Sequence, residues 1–253
     1  MKKIITLLLV AIVMTVGLWA QDAKELVKKC VDTIGGEEAV QKYMDFSAEG
    51  KMIISVRMME LSGQLKTIQK QRKSWTKAKV VFGSNEFVSI QAYDGQKAWM
   101  EQMGMIADQP SLNSETALDH AITLLIQKDA EFSTAKETEI EGKKVIGVIV
   151  KYKGKETTFY IDPEANTVVE MVYKDYFFGQ NETKELVERR IRYSDYKNIG
   201  GVLFPMKHTA FDKGKKLIEM TFEKVTFSPD VSADIFNRPD RKPDLRYMEE
   251  MLY

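Results

Sequence analysis

The spacing of hydrophobic residues changes once near the start of the chain. Between residues 22 and 43, apolar side chains recur every three or four positions, which predicts two short helices separated by Gly35-Gly36. From Phe46 to Met58, small or apolar side chains occupy every second position, which is typical of a strand with one buried face. The pattern therefore predicts N-terminal helices followed by a long strand.

Alternating segments continue to residue 227, and turn residues such as Asp94-Gly95 and Lys213-Gly214 separate many of them. One predicted helix, 114–128, interrupts the series with an apolar side. So many short strands predict a mainly β (α+β) fold, with a strongly curved antiparallel sheet or a barrel whose open side the helices cover. The further predicted strands are 64–75, 78–82, 86–93, 97–102, 131–139, 144–152, 156–161, 167–175, 183–194, 201–211 and 215–227.

The first twenty residues have the order of a secretory signal peptide. Two lysines precede an apolar run, Ile4 to Leu18, and the small Ala20 follows. We expect residues 1–20 to be removed and residues 21–253 to form a single domain, with 238–253 as a flexible tail. An uncleaved anchor is the alternative, because the apolar run is near the lower length limit for spanning a bilayer.

Charge and cysteine content narrow the function. The chain has 37 basic and 37 acidic residues, and this balance argues against nucleic acid as a partner. Its one cysteine, Cys30, excludes an internal disulfide. Because Cys30 lies on the apolar side of the first helix, we expect it to be a buried small hydrophobic residue.

The usual signals of catalysis are missing from the sequence. It contains no G-x-S-x-G elbow, no phosphate-binding glycine loop and no H-E-x-x-H. We expect His120 and His208 to be structural or surface residues and not ligands, and we expect neither a cofactor nor a metal. A hydrolase built from Asp and Glu residues that meet only in space stays an alternative.

Methionines cluster in two places, at Met58-Met59 and at Met103 and Met105. Thioether sulfurs can bind copper(I), so a copper site is one interpretation. The favoured interpretation is that these flexible, polarizable side chains line an apolar space.

Several motifs together resemble the LolA-like family of bacterial periplasmic carriers of outer-membrane lipoproteins, within the LolA/LolB superfamily. The motifs are Q-K-Q-R-K-S-W at 69–75, Y-D-G-Q-K-A-W at 93–99 and F-Y-I-D at 159–162. Residues 104–128 would correspond to the lid loop and helix of that family. The arginine that bonds to the lid is commonly followed by proline in the family, whereas Arg72 is followed by Lys73.

The resemblance implies an incomplete β-barrel that holds an apolar cavity closed by the N-terminal helices and an inserted helical lid. It also implies a monomer in the periplasm that binds lipidated proteins or lipids and meets an inner-membrane donor and an outer-membrane acceptor. The cavity and lid residues that we expect to bind ligand are Met52, Ile54, Val56, Met58, Arg72, Trp99, Met100, Met103, Met105, Ile106, Leu118, Ile122 and Leu125.

The expected function is therefore transport without chemistry. The protein would bind the acyl chains of lipoproteins, or other lipids, and move them towards the outer membrane. The alternative is an envelope sensor or interaction module that uses the same fold to detect mislocalised lipoproteins and signals to a protein partner.

Overall fold

Short helices precede the first strand, as the sequence predicts. The computed structural model describes residues 22–56, 59–109, 122–178 and 184–240. Helix α1 covers residues 22–34, helix α2 covers Glu37–Gln41, and the three 3₁₀ helices are Lys42–Met44, Ile122–Ile126 and Ala233–Phe236. No helix within the described ranges is long and apolar enough to cross a bilayer.

One antiparallel sheet contains the fourteen strands of the described residues. Their order is β6-β5-β4-β3-β2-β1-β14-β13-β12-β11-β10-β9-β7, and β8 also pairs with β9. This curved sheet with two separate edges confirms the predicted fold class. The strands are β1 (Asp45–Val56), β2 (Met59–Lys70), β3 (Lys73–Phe82), β4 (Asn85–Tyr93), β5 (Ala98–Gln102), β6 (Met105–Asp108), β7 (Glu131–Thr134), β8 (Thr138–Ile140), β9 (Lys143–Tyr152), β10 (Lys155–Asp162), β11 (Thr167–Phe178), β12 (Lys184–Ile199), β13 (Val202–Asp212) and β14 (Lys215–Phe227).

Strand pairing aligns the apolar side chains on one face, which we call the inner face. Met52 of β1 lies opposite Met220 of β14, which lies opposite His208 of β13 and then Tyr193 of β12. In the next strands, Met171, Phe159 and Val148 are paired in the same way. Because side chains alternate between the faces of a strand, the inner face is continuous across the sheet.

The helices cover one end of the inner face. Val27, Cys30 and Ile34 of α1 are at most 5% exposed and pack in one cluster with strand residues such as Phe159. Each such burial contributes roughly 1.5–3 kcal/mol for a large side chain. Cys30 is fully buried, which confirms the predicted buried cysteine, and burial raises the pKa of its thiol to about 12.

Tyr43 fills the space where the helices meet the centre of the sheet. Its ring centroid lies 5.0 Å from that of Phe204, and its hydroxyl donates to the Leu203 carbonyl. Phe46 and Phe222 also pack around Phe204, which is 1% exposed. The inner face under the helices is therefore a packed core.

The opposite, outer face is covered in part by the last 3₁₀ helix. Trp99 and Ile68 are 3% and 1% exposed, and the indole Nε1 of Trp99 donates to the Phe236 carbonyl at 2.8 Å. Ser232 caps this helix by accepting from the Asp234 amide at 3.2 Å. The chain is thus docked up to Phe236, and the predicted flexible tail 238–253 lies outside the described residues beyond Asp240.

Two strand predictions are wrong in their boundaries. The predicted strand 64–75 contains a turn, because Gln71 adopts a left-handed conformation (φ 54°) and divides β2 from β3. The predicted strand 131–139 likewise divides into β7 and β8. The first strand ends at Val56, and Met59 already belongs to β2.

The described part of the predicted lid segment forms a strand where a lid loop is expected. Met103 and Gly104 have φ of 52° and 74°, and two successive left-handed residues make the tight turn of a hairpin. Met105–Asp108 therefore pairs with β5 as strand β6. Of the predicted helix 114–128, residues 122–126 form a 3₁₀ helix, and the part before residue 122 lies outside the described ranges.

Gly50 allows β1 and β14 to approach closely at a bulge. A Cβ at this position would lie 2.7 Å from the Cα of Phe222 and would also clash with the Thr221 carbonyl. We expect Gly50→Ala to lower the free energy of unfolding by about 1–3 kcal/mol, because backbone atoms must shift. Urea denaturation measures this loss. The exposed neighbour Lys51 is the control, since Lys51→Ala should change stability by less than about 0.5 kcal/mol.

Candidate functional site

An uncovered groove lies on the inner face at the end of the sheet away from the helices. We call this end the hairpin end, because the hairpins β1–β2, β3–β4 and β5–β6 turn there. The groove has a volume of about 410 Å³, within the range of small-molecule sites. We call it the apolar groove; it is lined by Ile54, Val56, Met59, Leu61, Val80, Phe82, Phe87, Val88, Ser89 and Gln102.

Large apolar side chains in the groove are unusually exposed. Val56 is 42%, Met59 is 50% and Phe82 is 48% exposed. Isolated exposed apolar residues are common on proteins, but a contiguous group of them in a concave surface marks a binding site. Their alternation along β1, β2 and β3 aims them into the same space, so the groove suits a flexible apolar ligand.

Two other clefts in the described part of the chain have a different character. One lies beside the last 3₁₀ helix and includes Glu49, Lys66 and Asp230. The other lies beside α1 and includes Glu25 and Lys29. An apolar ligand would desolvate these charged groups without compensating them, so the apolar groove is the better candidate.

A neutral histidine packs against the aromatic core on the inner face. His208 packs edge-on against Tyr193 and Phe222, with ring centroids 5.0 and 4.9 Å apart, and its Nε2 donates to the Pro205 carbonyl at 3.1 Å. Burial lowers the pKa of His208 from 6.5 to about 4. The side chain is therefore uncharged at neutral pH, and the apolar character of the inner face continues past it. The predicted structural role of His208 agrees with these contacts.

The structure brings together part of the predicted binding set. Ile54 and Val56 line the apolar groove, and Met52 lies on the same face closer to the core, 5% exposed. Met105 pairs with Gln102, which lines the groove, and is 45% exposed. Met100 is also on the inner face, where its sulfur accepts from the Gln91 amide at 3.7 Å.

Other residues of the predicted set lie elsewhere. Trp99 and Ile106 occupy the outer face, by the register of β4, β5 and β6. Ile122 and Leu125 are buried in the core under the helices. Arg72 is in the β2–β3 turn, and Met103 is in the β5–β6 turn; Met58 and Leu118 lie outside the described residues. A role of these residues in ligand binding stays a prediction.

Eight groove residues are absent from the set predicted to bind ligand. They are Met59, Leu61, Val80, Phe82, Phe87, Val88, Ser89 and Gln102. Alternation within 78–82 and 86–93 indicates the strands, but it does not tell which of their side chains lie on the same face as Ile54 and Val56 of β1. That depends on the end of β1 at Val56 and on its pairing with β2, which the continuous alternation from Phe46 to Met59 does not indicate. Pairing of Ile54 with Leu61 and of Val80 with Phe87 aligns these side chains.

The outer face carries one deeply buried carboxylate. Glu170 is 1% exposed, and its two oxygens accept from Arg190 Nη1 at 3.3 Å and Arg192 Nη2 at 2.9 Å. Arg192 also stacks over the Phe211 ring at 4.8 Å and bonds to Glu141. The buried charge is thus compensated by two guanidinium groups, an arrangement that ties β11 to β12.

Comparison with known proteins identifies the fold. No family model matches the sequence, and no curated protein matches it. The structure is similar to a LolA superfamily protein from Nitrosomonas europaea (TM-score 0.53, 12% identity, 85% of this chain and 97% of that chain covered). It is also similar to a domain described as an outer membrane lipoprotein-sorting protein from Vibrio parahaemolyticus (0.51, 12%, 86% and 97%) and to a DUF1329 family protein from Desulfovibrio piger (0.52, 13%, 85% and 97%). The chain has the LolA-like fold.

The lowered pKa of His208 makes stability depend on pH. Between pH 6.5 and 4, the unfolded chain binds a proton at this site and the native protein does not, so stability falls as the pH falls through this window. We expect the free energy of unfolding to be roughly 1–3 kcal/mol lower at low pH from this group alone. Urea denaturation at pH 7 and pH 5 checks it. His208→Phe should show a shallower pH dependence, and an unchanged dependence would contradict the assignment.

Proposed function

We propose that the protein is a periplasmic carrier that binds the acyl chains of lipoproteins, or other lipids, in the apolar groove. The observation that carries the proposal is the exposed apolar surface of Val56, Met59 and Phe82, held open on the inner face of a LolA-like sheet. The proposal assigns binding and transfer to the protein, without chemistry.

The free energy of hiding an acyl chain from water supports this function. Burial is worth about 0.8 kcal/mol per CH₂ group, so a sixteen-carbon chain gains on the order of 10 kcal/mol. Such a chain crosses an aqueous compartment slowly unless a protein shelters it. The groove, with its ring of Leu, Ile, Val, Phe and Met side chains, offers the surface that such a chain requires.

A carrier must also release its cargo, and the shape of the groove favours release. The groove is open to solvent along the sheet, so a bound chain would keep part of its surface exposed. Met59 and Met105 offer unbranched, polarizable side chains that adapt to ligands of different shape. Moderate affinity of this kind permits transfer from an inner-membrane donor to an outer-membrane acceptor.

The adjacent residues Val81 and Phe82 allow a matched test of the groove. Phe82 lines it, whereas Val81 is 51% exposed on the opposite face. We expect Phe82→Ser to weaken binding of a fluorescent fatty acid about tenfold, because one apolar wall of the groove is lost. Fluorescence titration measures the affinity.

The control is Val81→Ser, which removes an equally exposed apolar side chain and should leave the affinity within about twofold of the wild-type value. Equal weakening by both substitutions would show that the probe binds elsewhere and would contradict the groove assignment.

The cargo can be identified from protein purified from its native envelope. We expect mass spectrometry to find co-purified lipids or lipoproteins, and Phe82→Ser to reduce their amount. Transfer of the bound lipoprotein between two membranes then distinguishes a carrier from the sensor alternative. Recovery without any lipid, together with no uptake of the acyl probe, would overturn both roles.

A further inference from the structure

All the large hydrophobic side chains that are exposed in the described part of the chain lie at the hairpin end. They stand within three residues of the strand ends there: Val56 ends β1, Met59 begins β2, and Val81 and Phe82 end β3. The others are Met105 at the start of β6, Leu186 near the start of β12 and Leu217 near the start of β14. The opposite end, which the helices cover, has none among the described residues.

The apolar groove does not account for this distribution. Val81 and Leu186 lie on the outer face by the pairing of β3 with β4 and of β12 with β11, and Leu217 does not line the groove. A ligand in the groove therefore leaves these three side chains in water. We call Val81, Leu186 and Leu217 the apolar rim.

The apolar rim is long and discontinuous. From β3 to β14 there are three strand intervals, and from β14 to β12 there are two, so the rim extends over about 24 Å. A folded protein partner usually buries one contiguous apolar patch. At the hairpin end, exposed apolar side chains lie on both faces of the sheet, with Val81 and Leu186 on the outer face and Phe82 on the inner face. Such a distribution along several strand ends matches the flat surface of a lipid bilayer.

Positive charge lies beside the rim. The β9–β10 turn presents Lys153 and is followed by Lys155, and the β13–β14 turn presents Lys213 and is followed by Lys215. Both turns are at the hairpin end, because β9 and β13 end where β1 ends. Anionic phospholipid headgroups attract such lysines, and the attraction adds to apolar burial.

We propose that the hairpin end docks the protein onto an anionic bilayer surface. The rim side chains enter the interfacial layer, and the lysines of the two turns contact lipid phosphates. This docking goes beyond acyl-chain binding and does not require the groove to be occupied. It would bring the mouth of the groove, with Phe82 and Met59, directly to the membrane surface.

The test is co-sedimentation of the envelope-purified protein with vesicles of phosphatidylglycerol and phosphatidylethanolamine. We expect the wild-type protein to sediment and the double variant Val81→Ser/Leu217→Ser to bind at least about tenfold more weakly, since two apolar anchors are removed. Mass spectrometry of each purified variant shows whether residues 1–20 are present. Only variants with the same N-terminus are compared, so this segment does not affect the difference in vesicle binding. Circular dichroism confirms that each variant is folded.

A groove variant separates docking from cargo binding. Leu61→Ser changes the groove and not the rim, so it should lose affinity for the fluorescent fatty acid and keep vesicle binding. The double rim variant should do the reverse. If Leu61→Ser loses vesicle binding and the double rim variant keeps it, vesicle lipid enters the groove. That result would overturn the docking proposal and leave the proposed carrier function intact.

The electrostatic part has its own control. Lys153→Gln/Lys215→Gln should weaken vesicle binding, whereas Lys24→Gln/Lys97→Gln, which removes two exposed lysines at the helix-covered end, should not. Raising the ionic strength from about 0.1 M to 1 M, which shortens the screening length from about 10 to 3 Å, should weaken binding of the wild-type protein. The docking proposal is overturned if the wild-type protein does not co-sediment with anionic vesicles, which is the result expected if the rim binds a protein instead. It is also overturned if substitution of either lysine pair changes vesicle binding by the same amount.

Discussion

The width of one apolar sheet face governs the rest of the structure. Antiparallel pairing is unbroken from β6 to β7, so the inner face is a single surface about 60 Å wide along the strand path. Helix α1, at thirteen residues, is only about 20 Å long. The described helices therefore pack mainly on β9–β13 and leave the inner face of β1–β5 open at the hairpin end, so a packed core and an apolar groove lie on the same face.

The two faces of the sheet differ in how their buried groups are covered and paired. On the outer face, Phe236 closes over Trp99, and Glu170 is neutralised by Arg190 and Arg192, so buried groups there are already satisfied within the chain. On the inner face, helix side chains bury only the apolar strand residues on the side near Tyr43. The remaining apolar surface of the inner face is exposed to solvent, and it is the surface to which the proposed function assigns the ligand.

Local patterns predict much of this fold, and distant contacts decide the rest. The alternation in β1, the Asp94-Gly95 turn and the Lys213-Gly214 turn indicate strands and hairpins correctly, because these signals depend on neighbouring residues. The turn at Gln71 is not predicted, because Gln71 adopts a left-handed conformation without a neighbouring glycine to signal it. The resemblance implies a cavity under the helices, whereas side chains around Tyr43 pack in that space and the uncovered groove lies at the hairpin end. Which face Phe82 occupies depends on strand pairing, which local patterns do not indicate.

The pairing of β1 with β14 joins segments that are far apart in the chain. Phe46 lies opposite Phe227, and this seam is what connects the two halves of the sheet. During synthesis the first half can form hairpins, but it cannot acquire its neighbour until residue 227 has emerged, and contacts of such long range form slowly. A nascent chain of this kind stays open for most of its elongation. That delay leaves the edge of β1 without its β14 partner until late in synthesis, when an unpaired edge can still pair with another chain.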